Sequence, residues 1–180
     1  MNFSDAQQDM RLAYFGGAPG MLTSAIAWLV AGLVALNITP KHALLTLYVG
    51  GVLIHPVAVL ACKALGRSGA HKKGNPLGTL AMESTFLLML GIALAFCVFL
   101  YRAQWFFPAM MLVIGGRYLV FSTMFGMRVY WTCGATLAAG GFALAFLDAP
   151  MAAGAFAGSA IEMIFAAILF ATSRTARPAS

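Results

Sequence analysis

Four ionisable side chains interrupt the long apolar runs of this sequence: His55, Glu83, Arg117 and Glu162. Near the centre of a membrane-spanning helix such a residue costs roughly 2.5–3.5 kcal/mol on insertion scales, so it usually pairs, carries protons or contacts a solute. An imidazole and a carboxyl group can both bind and release protons. These residue types therefore indicate the binding or passage of protons or polar solutes inside a membrane.

Two of the four are predicted to form an ion pair. Glu83 and Arg117 lie on consecutive spans, and at 1.5 Å per residue both are about 10 Å from the same membrane face. A short connection makes consecutive helices antiparallel neighbours. The resulting pair would either take part in function or only hold the two helices together.

The other two, His55 and Glu162, fall near the middle of their spans. We expect them to form a second contact or one end of a polar path through the bundle. Pro56 donates no backbone hydrogen bond and leaves the Val52 carbonyl free, so a kink beside the imidazole indicates a binding or gating point. The alternatives are an interhelical hydrogen bond for His55 and a protonated, silent carboxyl for Glu162.

Glu162 also lies on a face of small residues. Gly154, Gly158 and Glu162 are spaced by four and share one side of a helix. The pattern Gly-x-x-x-Gly is typical of close helix packing in membranes. We therefore expect this face to meet another helix. Trp28, in the middle of the first span, would either stack on a ligand or pack as a bulky core residue.

The two glutamates lie in similar segments, residues 81–86 and 160–165. Each has a small residue, then Met or Ile, then Glu, then Phe three positions later. Three spans separate the segments, which is the arrangement of an inverted repeat in many transporters. A chance likeness of six residues is the alternative.

The composition places these side chains in a membrane. Of the 180 residues, 62% are hydrophobic and 9% are charged, and the mean hydropathy is +0.89. A soluble domain is about half apolar and a quarter charged, and a spanning helix needs roughly 20 apolar residues. The sequence predicts an all-α, polytopic six-helix bundle, with residues 1–180 as one membrane domain. The predicted spans are 20–37, 43–64, 77–100, 105–124, 127–147 and 151–172.

Residues 1–16 precede the first span as an interfacial segment. We expect a short helix over 5–14, with Ala6, Met10, Ala13 and Tyr14 on one face, lying at the membrane surface. The alternative is that this helix extends the first span.

The distribution of charge predicts the orientation. With six spans, eight Lys and Arg residues lie on the side of the termini and two on the other side, which predicts cytoplasmic termini. The eight are Arg11, Lys63, Arg67, Lys72, Lys73, Arg128, Arg174 and Arg177, and the two are Lys41 and Arg102. Anionic lipid headgroups at the cytoplasmic face then account for the net charge of +6, without a nucleic-acid partner.

Motifs for known intramembrane chemistry are missing from the sequence. It contains no H-E-x-x-H or G-x-S-x-G motif and no Asp cluster for Mg²⁺. Cys62, Cys97 and Cys133 form no C-x-x-C pair and are expected to be packing residues. The sequence therefore predicts no catalytic residue, no cofactor and no metal ligand.

Two short segments carry a resemblance to a known family. They are the run Asp9-Met-Arg-Leu-Ala-Tyr-Phe-Gly-Gly17 and the loop Gly74-Asn-Pro-Leu77. In these segments the chain resembles a family of small six-span bacterial integral membrane proteins with no assigned function. The resemblance implies a bacterial inner-membrane location and supplies no activity and no site residues.

Three functions fit these observations. The leading hypothesis is a small multi-pass transporter or channel-like protein of the cell membrane, proton-linked through Glu162 and His55. The second is a non-catalytic membrane module that binds a partner or a second copy through small-residue faces of spans five and six. The third is an intramembrane enzyme with His55 and Glu83 or Glu162 as acid and base. The small residues of the second hypothesis are Gly134, Ala138, Gly141, Gly154 and Gly158.

Overall fold

The computed structural model describes the backbone of residues 1–175 and the side chains of residues 1–173. This part of the chain is helical, without a strand. Two 3₁₀ turns, Phe15–Gly17 and Ala103–Trp105, precede the second and fifth α-helices. The α-helices are α1 (Phe3–Tyr14), α2 (Ala18–Asn37), α3 (Pro40–Ala64), α4 (Leu77–Tyr101), α5 (Phe106–Phe125), α6 (Val129–Phe146) and α7 (Met151–Thr175).

Six helices in the described residues are long and apolar enough to cross a membrane. Helices α2 to α7 correspond one by one to the six predicted spans, and each boundary agrees within three residues. The predicted all-α fold with six spans is therefore confirmed. Proline and turn residues explain why the predicted helix boundaries match the observed ones. Pro40 begins α3, and Asp148 and Pro150 form the turn into α7.

Helix α1 is separated from the first span by a left-handed turn. Phe15, Gly16 and Gly17 have φ values of 53°, 62° and 83°, which no α-helix accommodates. The helical path is therefore interrupted between α1 and α2. Ala6, Met10 and Ala13 are buried, as the predicted face requires.

The spans divide into a core and a periphery. Helix α2 packs between α3 and α7, and α5 packs between α4 and α6, while α7 also contacts α5 and α6. The largest fully buried side chains come mainly from α2, α5, α6 and α7, including Trp28, Phe107, Met111 and Leu137. Only 11% of the apolar stretch of α4 is buried, against 39% for that of α7. Helices α3 and α4 therefore present most of their surface outward.

Helix α1 closes one end of the bundle, which we call the terminal end. The Ser173 hydroxyl near the end of α7 lies against Gly16, so α1 and the end of α7 are both at this end. Gln7 Nε2 donates to the Thr123 carbonyl at 2.7 Å, and Arg11 Nη1 donates to the Phe125 carbonyl at 2.5 Å. These two bonds satisfy carbonyls that the last turn of α5 leaves free.

The loop between α3 and α4 is held by the same helix. Asp9 Oδ2 accepts from the Asn75 side-chain amide at 2.8 Å and from the Lys72 backbone amide at 2.9 Å. Tyr14 Oη lies 2.9 Å from His71 Nδ1. The two segments that carry the family resemblance, separated by more than 50 residues, thus meet at the terminal end.

Candidate functional site

Glu162 lies in the core of the bundle and is fully buried. The Tyr118 hydroxyl of α5 donates to its Oε1 at 2.7 Å. The other oxygen, Oε2, is buried and makes no hydrogen bond, and the Ser24 hydroxyl of α2 lies beside the same carboxyl. We call Glu162, Tyr118 and Ser24 the core carboxyl site.

A close contact between α2 and α7 places this carboxyl. One turn before Glu162, a Cβ added at Gly158 would lie 2.7 Å from Trp28 Cε3, so only glycine lets the indole approach. Ser159 Oγ donates to the Ala25 carbonyl at 2.8 Å. The predicted packing face of Gly154, Gly158 and Glu162 therefore exists, and its main partners are α2 and the start of α5.

A second close contact, between α5 and α6, positions the tyrosine. A Cβ added at Gly134 would lie 2.5 Å from the Gly115 carbonyl oxygen, so the two backbones touch. Tyr130 of α6 packs its ring 5.8 Å from that of Tyr118 and donates to the Gly16 carbonyl at 2.6 Å. Buried aromatic rings thus connect the core carboxyl site with the terminal end.

The glycines expected to contact a second copy are used inside the chain. Gly154 lies against Phe107 and Pro108, and Gly141 lies against the Pro108 carbonyl. With Gly158 on Trp28 and Gly134 on Gly115, these faces of α6 and α7 are already covered. Self-association through them would require these internal contacts to separate.

Trp28 is a packing residue in this structure. Its side chain is fully buried, and its ring centroid lies 5.6 Å from that of Phe107. The indole Nε1 is buried without a hydrogen-bond partner, one turn along α2 from Ser24. The Trp28 indole packs against Gly158, one turn before Glu162.

The expected contact between His55 and Glu162 is wrong. His55 lies on the exposed surface of α3, while Glu162 is fully buried. Helix α3 packs on α2 through Gly50, which meets Ala27, and this rotation leaves the imidazole outside the core. The structure thus does not bring His55 into the core carboxyl site.

The predicted Glu83–Arg117 ion pair is also wrong. Within the described residues the only salt bridge joins Arg102 and Asp148 at 2.7 Å. Arg117 Nη2 instead donates to Thr85 Oγ1 at 3.2 Å, and its guanidinium lies 5.1 Å from the Phe121 ring centroid. The estimated depth was close, because Thr85 is only two residues from Glu83. Two residues rotate a helix by about 200°, however, so Glu83 faces outward.

Sequence reasoning missed Tyr118 and Ser24. Neither is charged, and a hydroxyl in an apolar span is common enough to attract no attention. The available signal was the position of Tyr118 next to Arg117, at the same depth as the predicted pair. A buried carboxyl group needs a hydrogen-bond donor, and Tyr118 is a hydroxyl-bearing residue within a span.

The chain matches a known protein family. A profile described as a family of unknown function (DUF7010) matches residues 3–172, and the chain belongs to this family. No curated protein and no solved structure matches the chain.

Proposed function

We propose that this family member is a small membrane transporter in which Glu162 binds the proton that is coupled to solute movement. The main support for this proposal is a carboxyl group in the middle of an apolar bundle. One of its oxygens accepts a hydrogen bond from Tyr118, and the other has no hydrogen-bond partner. A buried ionisable group in a membrane is costly and marks a functional position by default. A structural role alone would leave fewer unpaired polar atoms.

In this proposal, the structure represents a closed state of the transporter. Trp28 and Phe107 pack on α7 at Gly158 and Gly154, Tyr118 donates to the carboxyl, and Tyr130 packs on Tyr118, and all four are at most 5% exposed. Transport requires that Glu162 become accessible to water during the cycle. The contacts of α2 with α7 and of α5 with α6 are the interfaces that would move apart.

Proton coupling is tested with proteoliposomes that contain a pH-sensitive dye. A panel of polar solutes is added outside, and a transported solute is expected to acidify the interior. Glu162→Gln is expected to abolish this acidification, because the amide keeps an acceptor for Tyr118 but binds no proton. Glu83→Gln, the matched change on the outer face of α4, is expected to leave it intact. Equal acidification by Glu162→Gln would contradict the proposal.

The second candidate is a non-catalytic membrane module, favoured by the dense packing around Glu162. It is distinguished by infrared spectroscopy of the carboxyl stretch after transfer to D₂O. A transporter is expected to exchange the Glu162 proton within minutes, and the band missing in Glu162→Gln identifies it. A band that does not shift over a day, together with no solute-dependent acidification, would support the static module.

We also propose that the terminal end faces the cytoplasm of a bacterial inner membrane. The eight-to-two distribution of Lys and Arg supports this orientation. The side chain of Arg174 and all of Arg177 lie outside the described residues. With Cys62, Cys97 and Cys133 replaced, a cysteine at position 70 should resist a membrane-impermeant thiol reagent in intact cells. Labelling there would reverse the orientation.

A further inference from the structure

Arg117 is a charged side chain within a membrane-spanning helix and has no counter-ion among the residues that the structure describes. The sequence has five acidic residues, all within the described part, and no carboxylate oxygen lies within 4.0 Å of its guanidinium. Glu83 faces outward on α4, and Glu162 is bonded to Tyr118. The remaining three, Asp5, Asp9 and Asp148, lie in α1 or in the turn before α7.

The guanidinium has unused hydrogen-bonding capacity. Of its nitrogens, Nη2 donates to Thr85, and Nε is buried without a partner. Nη1 makes no hydrogen bond within the described residues. The neighbouring Ser84 hydroxyl of α4 is likewise buried and unpaired. Thr85 is fully used, because its hydroxyl also donates to the Ala81 carbonyl at 2.9 Å. Arg117 and Ser84 therefore hold unpaired donors on two adjacent helices.

The position of Arg117 allows an anion to approach from the terminal end. It lies eight residues before the end of α5, which is about 12 Å along the helix. Gly116 is exposed, and a Cβ added there would meet nothing within 4 Å. The guanidinium carbon lies 5.1 Å from the centroid of the Phe121 ring, one turn nearer the terminal end, in a cation–π contact. An arginine side chain reaches several ångströms toward the headgroup region, where lipid phosphates lie.

We propose that Arg117, positioned by Thr85, binds a phosphate oxyanion between α4 and α5 together with the Ser84 hydroxyl. The guanidinium presents parallel N–H groups that match two oxygens of a phosphate. The site fits the phosphate of an anionic lipid in the leaflet at the terminal end, and the same donors fit a free phosphate ion. This inference does not depend on transport or on Glu162.

Binding is measured as thermal stabilisation of the purified protein in detergent and as lipid retained in native mass spectrometry. The probes are dioleoyl phosphatidylglycerol, dioleoyl phosphatidylcholine and inorganic phosphate. We expect phosphatidylglycerol to raise the melting temperature and to remain bound. Stabilisation by phosphatidylglycerol alone identifies a lipid site, and equal stabilisation by inorganic phosphate identifies a free-anion site.

Two variants and one control assign the site. Arg117→Gln should weaken phosphatidylglycerol binding about tenfold or more, as expected for lost hydrogen bonds to a charged group. Arg117→Lys keeps the charge and should retain part of the affinity, which also guards against a variant that fails to fold. Arg128→Gln removes an exposed charge at the same end and should bind as the wild type does.

Some results would overturn the proposal. Wild-type affinity in Arg117→Gln would show that any bound anion sits elsewhere. The absence of stabilisation by either phosphate probe in the unmodified protein would show that the arginine needs no anion. An equal loss in Arg128→Gln would show that only the general charge of the terminal end matters.

Discussion

Glu162 and Glu83 occupy similar sequence segments, yet the structure gives them opposite surroundings. Glu162 is fully buried between α2 and α5 and accepts a hydrogen bond from Tyr118. Glu83 faces outward from α4, and no hydrogen bond or ion pair joins it within the described residues. The residue type and the local pattern are the same, so the difference comes from the neighbours of each helix.

This difference shows how helix packing decides what an intramembrane carboxyl can do. Helix α7 contacts three other spans, whereas α4 packs mainly on α5. A carboxyl on a surrounded helix acquires donors, and its proton is controlled by protein groups. A carboxyl on a peripheral helix meets lipid or reaches for the headgroups. The inverted-repeat pattern of the two segments is therefore not matched by equivalent burial.

The largest contrast is expected between aromatic residues of the two regions. Trp28→Ala empties a fully buried site beside the core carboxyl site and should lower the free energy of unfolding by about 3–5 kcal/mol. Phe86→Ala, at a side chain that is 71% exposed on α4, should change it by at most about 0.5 kcal/mol. Unfolding in mixed detergent micelles measures both. Similar losses in the two variants would contradict the division into core and periphery.

A smaller loss of stability is expected from removing the hydrogen-bond donor to Glu162. Tyr118→Phe leaves both carboxyl oxygens without a strong partner and should cost about 1–3 kcal/mol. Tyr48→Phe is the matched control, since the Tyr48 hydroxyl donates to the Ile92 carbonyl at 3.1 Å and its loss frees only a helix carbonyl. A cost for Tyr118→Phe no greater than for the control would mean that the bond to Glu162 contributes little.

The smallest effect is expected from a double-mutant cycle between Glu83 and Arg117. Because the two side chains make no ion pair, the coupling of Glu83→Gln with Arg117→Gln should stay below about 0.5 kcal/mol. The cycle of Thr85→Val with Arg117→Gln should give a larger coupling, because those side chains are hydrogen-bonded. A coupling free energy in the Glu83 cycle larger than that in the Thr85 cycle would show that Glu83 and Arg117 interact directly.

Position along each helix could be predicted from the sequence, whereas rotation about the helix axis could not. The ends of the spans and the depth of Arg117 follow from run lengths and from the rise per residue. Lipid and protein core are both apolar, so α4 and α5 have no polar stripe to show which side faces inward. Arg117 and Tyr118 are neighbours about 100° apart, and only the second reaches Glu162.

The same reasoning explains why Glu162 was found and its partners were not. A carboxyl group in hydrocarbon stands out in any sequence. Its neighbours, the donor Tyr118 and the adjacent Ser24, come from helices that are distant in the chain. Their convergence depends on close contacts at Gly158 and Gly134, which the small-residue pattern indicated without naming the opposite surface.

The contacts of α1 also constrain the order in which the molecule is assembled. Gln7 of α1 donates to a carbonyl 116 positions later in the chain, and the Gly16 carbonyl after α1 accepts from Tyr130, 114 positions later. The N-terminal segment therefore lacks part of its contacts until α5 and the start of α6 have entered the membrane. During biogenesis it therefore emerges from the ribosome before the helices that hold it in place.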